Sequence, residues 1–189
     1  MKDYKVNEIF YSLQGEGYHT GRPAVFVRLS GCNLSCPFCD TLHNDYTEMT
    51  AEQIAERCKE LVRGGLLVLT GGEPSLQVDT GLIEALHRYG YYVAIETNGT
   101  RPLPEDIDWV TLSPKCKPLI TRCDELKIVF TTADKVCDYG VDAQHRFLQP
   151  CDTGDAEKNR KVVDQCIDYI KQHPQWRLSL QTHKLAKFK

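Results

Sequence analysis

Thr50-Ala51-Glu52-Gln53-Ile54 at one end and Leu66-Leu67-Val68-Leu69-Thr70-Gly71-Gly72-Glu73-Pro74 at the other frame the stretch that decides the fold. Thr50 and Gln53 have the spacing of a capping box, with Thr50 as N-cap. Ile54, Cys58, Leu61 and Val62 follow at helical spacing, and Gly64-Gly65 stops that helix. The five residues from Leu66 then read as a fully apolar strand, the signature of a strand buried on both faces. The same alternation continues outward. Ala24 to Leu29 precedes it as a strand. A helix carrying Leu82, Ile83 and Leu86 ends at Gly90, and the next strand is Tyr92 to Glu96. Trp109 to Leu112, Leu126 to Phe130 and Arg146 to Gln149 are further strands. An amphipathic helix with Val162, Val163, Cys166, Ile167 and Ile170 inward follows, and Trp176 to Gln181 reads as a last strand. Buried strands alternating with helices indicate a parallel α/β sheet. A complete eight-unit barrel needs about 250 residues. The chain offers about six core units in 189 residues, so an incomplete TIM-like barrel is expected, with a flat doubly wound sheet as the alternative. No linker divides the chain, so residues 1–189 are read as one domain with short terminal extensions.

A net charge of −3 gives no electrostatic footprint for nucleic acid. No apolar run reaches the ~20 residues of a bilayer span. The N-terminus has no stretch of signal-peptide length, so the expected compartment is the cytoplasm. Nine cysteines, at 32, 36, 39, 58, 116, 123, 137, 151 and 166, cannot all pair within one chain. Cys58 and Cys166 fall on apolar helix faces and read as core.

The other distinctive peptides follow strand ends: Gly31-Cys32, Gly71-Gly72-Glu73-Pro74, Glu96-Thr97-Asn98-Gly99, Ser113-Pro114-Lys115 and Gln149-Pro150. In parallel α/β folds that edge is where ligands bind, which points to one composite site. Cys32-Asn33-Leu34-Ser35-Cys36-Pro37-Phe38-Cys39 puts three thiols on one tight loop. Three thiolates can hold three irons of a cubane and leave the fourth open. A zinc site completed by His43, a cluster completed by a distant cysteine and a redox thiol group are the alternatives. Phe38 would shield a cluster from water.

Cys32-x-x-x-Cys36-x-Phe38-Cys39 resembles the signature of the radical S-adenosylmethionine (SAM) superfamily, and Thr70-Gly71-Gly72-Glu73-Pro74 resembles its Gly-Gly-Glu motif. In that superfamily the open iron binds the amino and carboxylate groups of SAM, and the reduced cluster cleaves it to a 5′-deoxyadenosyl radical. Leu13-Gln14-Gly15-Glu16-Gly17, Arg28, Cys39-Asp40-Thr41, Ser113-Pro114-Lys115, Gln149-Pro150-Cys151-Asp152 and Gln181-Thr182-His183-Lys184 narrow the resemblance to the 7-carboxy-7-deazaguanine synthase family, over residues 5 to 185. The resemblance implies a lyase of the queuosine and deazapurine pathway. It would convert 6-carboxy-5,6,7,8-tetrahydropterin to 7-carboxy-7-deazaguanine with loss of ammonia.

The same resemblance assigns residues. Cys32, Cys36 and Cys39 would hold the [4Fe-4S] cluster. Phe38, Cys39, Asp40, Gly72, Ser113, Pro114, Lys115, Gln149, Pro150, Cys151 and Asp152 would line the SAM pocket. Leu13, Gln14, Gly15, Arg28 and Thr70 would hold the pterin, and Thr41 would donate to Mg²⁺. Arg28 offers a planar fork to a carboxylate, with a surface ion pair as the plain alternative. Cys151 reads as accidental placement rather than a fourth cluster ligand. One of Glu96 and Asn98 is expected to touch SAM, and the tail from Leu185 to Lys189 is left unassigned. A homodimer and a flavodoxin or ferredoxin reductant are also implied. A glycyl-radical activase and a non-enzymatic zinc or iron-sulfur module are the competing readings.

Overall fold

The computed structural model describes residues 2–39 and 45–189. The strands and helices run β1 (Asp3–Leu13), β2 (Pro23–Leu29), β3 (Thr47–Thr50), α1 (Ala51–Leu61), β4 (Gly65–Gly71), α2 (Thr80–His87), β5 (Tyr91–Thr97), β6 (Trp109–Leu112), β7 (Arg122–Phe130), β8 (Asp142–Pro150), α3 (Ala156–Gln172), β9 (Arg177–Leu178) and α4 (Thr182–Ala186). Among the described residues they form one nine-stranded sheet of order β3-β1-β2-β4-β5-β6-β7-β8-β9. The ladders from β2 through β9 are parallel, and β1 pairs antiparallel with β2 and β3. Six parallel strands of four or more residues match the expected number of core units. None of the described helices is long and apolar enough to cross a membrane.

The sheet is curled, not flat. Seven strand steps separate β1 from β9, which would span roughly 34 Å in a flat sheet. Yet the Gly17 N–H donates to Ser179 Oγ at 3.0 Å, and the Thr182 N–H to the Gly15 carbonyl at 3.0 Å. The helices agree. Val25, Val27, Leu67, Leu69, Val93 and Ile95 share a core with Ile54 and Cys58 of α1 and Leu82, Ile83 and Leu86 of α2. Leu126, Ile128 and Leu148 on the same face of the sheet pack with Cys166 of α3. With all three long helices on the convex face, the doubly wound alternative is excluded and the partial barrel stands. Both helix cysteines are fully buried, which pushes their thiols up to about 12.

Local chemistry sets several boundaries where expected. Thr50 and Gln53 form the reciprocal capping box at α1. Two features differ. β1 carries no clean alternation, because a register shift between Val6 and Glu8 breaks it and only Tyr4 and Val6 are buried. The final strand shrinks to Arg177–Leu178, because the chain then leaves the sheet edge for α4.

Strand alternation sends the other residue set into the lumen. Near the N-terminal strand ends Ala24, Phe26, Leu66, Val68, Ala94 and Trp109 fill it. Further along the same faces stand Arg28, Thr70, Glu96, Thr111, Glu125 and Lys127. The β1–β2 loop folds in against them. Tyr18 stacks on Trp109 at 4.9 Å between ring centroids, and His19 lies 4.5 Å from the same ring. His19 is 6% exposed, its Nδ1 accepts from Arg22 Nη1 at 3.0 Å, and its Nε2 has no partner among the described residues. Burial, then the Arg22 and His145 charges, lower its pKa to about 4. The native state therefore favours neutral His19, and its contribution to stability is complete above the ordinary value of 6.5 and is lost as pH falls toward 4. Urea unfolding across that window should show this slope in the parent chain and a weaker one in His19→Phe. Equal slopes would remove His19 as the cause.

Candidate active site

The three-thiol loop leaves the end of β2 and is clamped onto the turn that ends β4. The Gly72 N–H donates to the Leu29 carbonyl at 2.9 Å, and the Glu73 N–H to the Gly31 carbonyl at 2.8 Å. A Cβ on Gly72 would sit 2.1 Å from the Gly31 oxygen, so only glycine permits this approach. Glu73 lines the cavity and also braces its rim. Its buried carboxylate accepts from Thr97 Oγ1 at 2.6 Å, the Asn98 N–H at 2.7 Å and the Ser75 N–H at 3.0 Å. Asn98 Nδ2 then donates to Asn33 Oδ1 at 3.1 Å, which ties the thiol loop to the rim of β5. Cys32 and Cys36 are half-buried and Cys39 is exposed.

The opposite wall is the loop after β1. Gly15 and Gly17 let it enter the lumen. A Cβ on Gly15 would strike the His183 ring, and one on Gly17, at φ +65°, the Glu125 carboxylate. Gln14 Nε2 donates to Glu96 Oε1 at 3.2 Å, and Thr70 Oγ1 to Glu96 Oε2 at 3.0 Å. Arg28 Nε donates to Glu8 at 2.9 Å, and Lys189 Nζ reaches the same carboxylate at 2.6 Å. Both cations hold the Glu8 carboxyl low against the upward push of burial.

Between these walls lies a cavity of about 720 Å³, within the usual size of ligand sites. It brings together all three thiols with Leu13, Gln14, Gly15, Arg28, Phe38, Thr70, Gly72, Ser113, Lys115, Gln149, Pro150, Cys151 and Asp152. Pro114 is buried and does not line it. Asp40, Thr41 and His43 lie outside the described residues. Both Glu96 and Asn98 reach the wall. Lys115 Nζ donates to the Ser113 carbonyl and Oγ, each at 2.7 Å, and enters no ion pair among the described residues. Burial lowers its pKa. A largely desolvated ammonium held only by neutral oxygens is suited to receive an anion.

Among the described residues no three His, Cys, Asp or Glu side chains gather closely enough to hold one metal ion. A cubane asks for something else, one thiolate on each of three irons, and three thiols from one loop facing one cavity satisfy that chemistry. Cys151, just past the end of β8, lines the same cavity, its thiol 3.7 Å from the Asp152 carbonyl oxygen.

Sequence reasoning gave no site role to Glu16 or to Gln181–Lys184, although both lie in peptides that carry the resemblance, and it missed Lys127 and the tail. Lys127 had a signal, as the lone cation in the apolar run Leu126 to Phe130. His183 and Lys184 stood in a quoted peptide and Lys189 in the unassigned tail, and all three line the cavity, with Lys184 2.8 Å from Asp152.

The clamp makes a prediction. Gly72→Ala should displace the thiol loop and lower the iron bound after anaerobic reconstitution, with helix content unchanged by circular dichroism. Full iron content would show that the loop tolerates the methyl group.

The radical SAM superfamily profile matches residues 26–112. The chain is 55% identical over 183 residues to the 7-carboxy-7-deazaguanine synthase of Bacteroides thetaiotaomicron, covering 96% of each chain. It is 43% identical over 206 residues to that of Burkholderia multivorans, covering 96% of this chain and 97% of the other. The crystal structure of QueE from Escherichia coli aligns with a TM-score of 0.73 at 27% identity, over 94% of this chain and 93% of that one. A near-full-length match at this identity, on a shared fold with the thiol loop at the mouth of the barrel, places the chain in the 7-carboxy-7-deazaguanine synthase family of radical SAM enzymes.

Proposed function

We propose that the chain converts 6-carboxy-5,6,7,8-tetrahydropterin to 7-carboxy-7-deazaguanine with release of ammonia. The observation that carries this reading is one continuous cavity with a three-thiol loop on one wall and Arg28, Gln14 and Gly15 on the other. Cys32, Cys36 and Cys39 would hold the [4Fe-4S] cluster. Phe38 to Asp40, Gly72, Ser113, Lys115 and Gln149 to Asp152 would surround SAM, with Pro114 shaping the turn from beneath. When bound, the reduced cluster and SAM supply the hydrogen-atom abstraction that starts ring contraction. The chain's own residues bind, orient and exclude water.

Lys115 meets the methionine carboxylate of SAM, the anion its desolvated ammonium lacks. Arg28 has Nε committed to Glu8, so its two terminal nitrogens remain to grip the pterin carboxylate end-on. Leu13, Gln14 and Gly15 would line the edge of the flat ring, held there because the Gln14 N–H and carbonyl pair with Arg22 and Gly21 and the Gly15 carbonyl accepts from Thr182. The Thr70 hydroxyl, turned toward Glu96, orders the floor beneath it. Mg²⁺ on Thr41, completed by substrate oxygens, belongs to the same proposal. So do a homodimer, a flavodoxin or ferredoxin donor and a cytoplasmic location, the last supported by nine free thiols.

The test is anaerobic reconstitution followed by incubation with carboxytetrahydropterin, SAM, Mg²⁺ and reductant, with the product identified by mass. A product of carboxydeazaguanine mass without matching build-up of 5′-deoxyadenosine is expected. Stoichiometric deoxyadenosine and no such product would favour an activase instead. Cys36→Ala should abolish turnover. Arg28→Ala loses a charge-assisted contact of about 1.5–3 kcal/mol, so the KM for the pterin should rise roughly 10- to 150-fold. An unchanged KM would remove Arg28 from this role.

A further inference from the structure

Lys127 is 5% exposed, and its Nζ stands 2.5 Å from Glu16 Oε2 and 3.5 Å from Glu96 Oε1. Each carboxylate has further tethers. Glu16 Oε1 accepts from Gln181 Nε2 at 3.0 Å, and Glu96 accepts from Gln14 and Thr70. Gln14 closes the circuit by accepting the Glu16 N–H at 3.1 Å. All six of these side chains line the cavity. One ammonium therefore joins the β1–β2 loop, β5 and β7 across the lumen. Without it, two acids would share a desolvated space in which like charges cannot both persist.

We infer that Lys127 is a positioning residue for substrate: its ammonium, shared by Glu16 and Glu96, holds both carboxylates at the cavity wall, where they accept from the ring N–H and amino donors of the pterin. This rests on the pterin reading above and deepens it. Arg28 receives the carboxylate end of the substrate, and the pair ordered by Lys127 receives the donor-rich end. A heterocycle whose ring nitrogens lack hydrogens would leave those acceptors unpaired, and that selects against it.

The charged groups facing Lys127 are Glu16 from the β1–β2 loop, Glu96 from β5, Glu125 beside it on β7 and Lys115 from the loop after β6. Glu125 carries a raised pKa through burial. Its own burial pushes the Glu16 carboxyl up, and the Lys127 ammonium holds it well below the usual carboxylate range. Removing the ammonium should leave Glu16 to the upward push of burial that already acts on Glu125.

Binding of 6-carboxy-5,6,7,8-tetrahydropterin, which keeps the ring N–H donors, is measured by anaerobic ultrafiltration on the reconstituted protein without reductant, so that no turnover occurs. Lys127→Met should weaken binding at least tenfold and make it fall further as pH drops from about 8 to 6. Lys127→Arg should stay within about threefold of the parent. The charge-balanced Lys127→Met/Glu16→Gln variant supplies the readout if the single variant does not fold, and it should bind at least tenfold more weakly than the parent. Parent-like affinity with a flat pH profile in either Met variant overturns the inference while the pterin reading stands. Failure of the parent protein itself to bind the tetrahydropterin removes that reading, and this inference with it.

Discussion

An open parallel sheet curled toward a barrel has a concave face that no helix covers, and the structure depends on how that face is filled. Here the β1–β2 loop folds into it and is held by a polar seam. Lys127 meets Glu16 and Glu96, Ser179 Oγ takes the Gly17 N–H, and Glu125 takes the Tyr18 N–H at 2.9 Å. Apolar packing closes the end near Trp109, and the seam keeps the other end open, wet and charged. The cavity is what remains between the seam and the strand-end loops.

Such a seam is poor evidence of stability. Desolvating an ion costs about several kcal/mol even after relaxation, and this one buries a cation among three acids. Hydrophobic side chains of similar volume would fill the lumen at less cost. The arrangement makes sense as a binding surface, because it presents fixed acceptors where an apolar plug would present none. The large apolar layer beneath α1, α2 and α3 offsets the cost.

The two walls are built differently because they do different work. The thiol loop and its neighbours sit on strand-end loops, stapled to one another by Gly72, Glu73 and Asn98. The opposite wall stands mainly on strands, where Arg28, Thr70, Glu96 and Lys127 have orientations set by register. The C-terminal segment joins them at the mouth through the Lys184–Asp152 and Lys189–Glu8 pairs.

Most of the fold was legible because its signals are local. The Thr50–Gln53 box, the glycines after α1 and the apolar runs of β2, β4 and β5 each act within a few residues. The thiol spacing was equally local, and so was the glycine turn that receives it. The irregular alternation of β1, broken by its own register shift, hid a strand. Other features lay beyond local reading. Glu16 and Lys127 are 111 residues apart, and Lys184 lies 32 from Asp152. A charge in an apolar strand shows that something must compensate it, but the partner is chosen by the curl of the sheet. The sequence by itself determined the strands, the caps and the three-sulfur loop, since each needs only its neighbours in the chain. The closing of the cavity by the first loop and the last residues was decided in three dimensions, where distant carboxylates and ammoniums first come within reach.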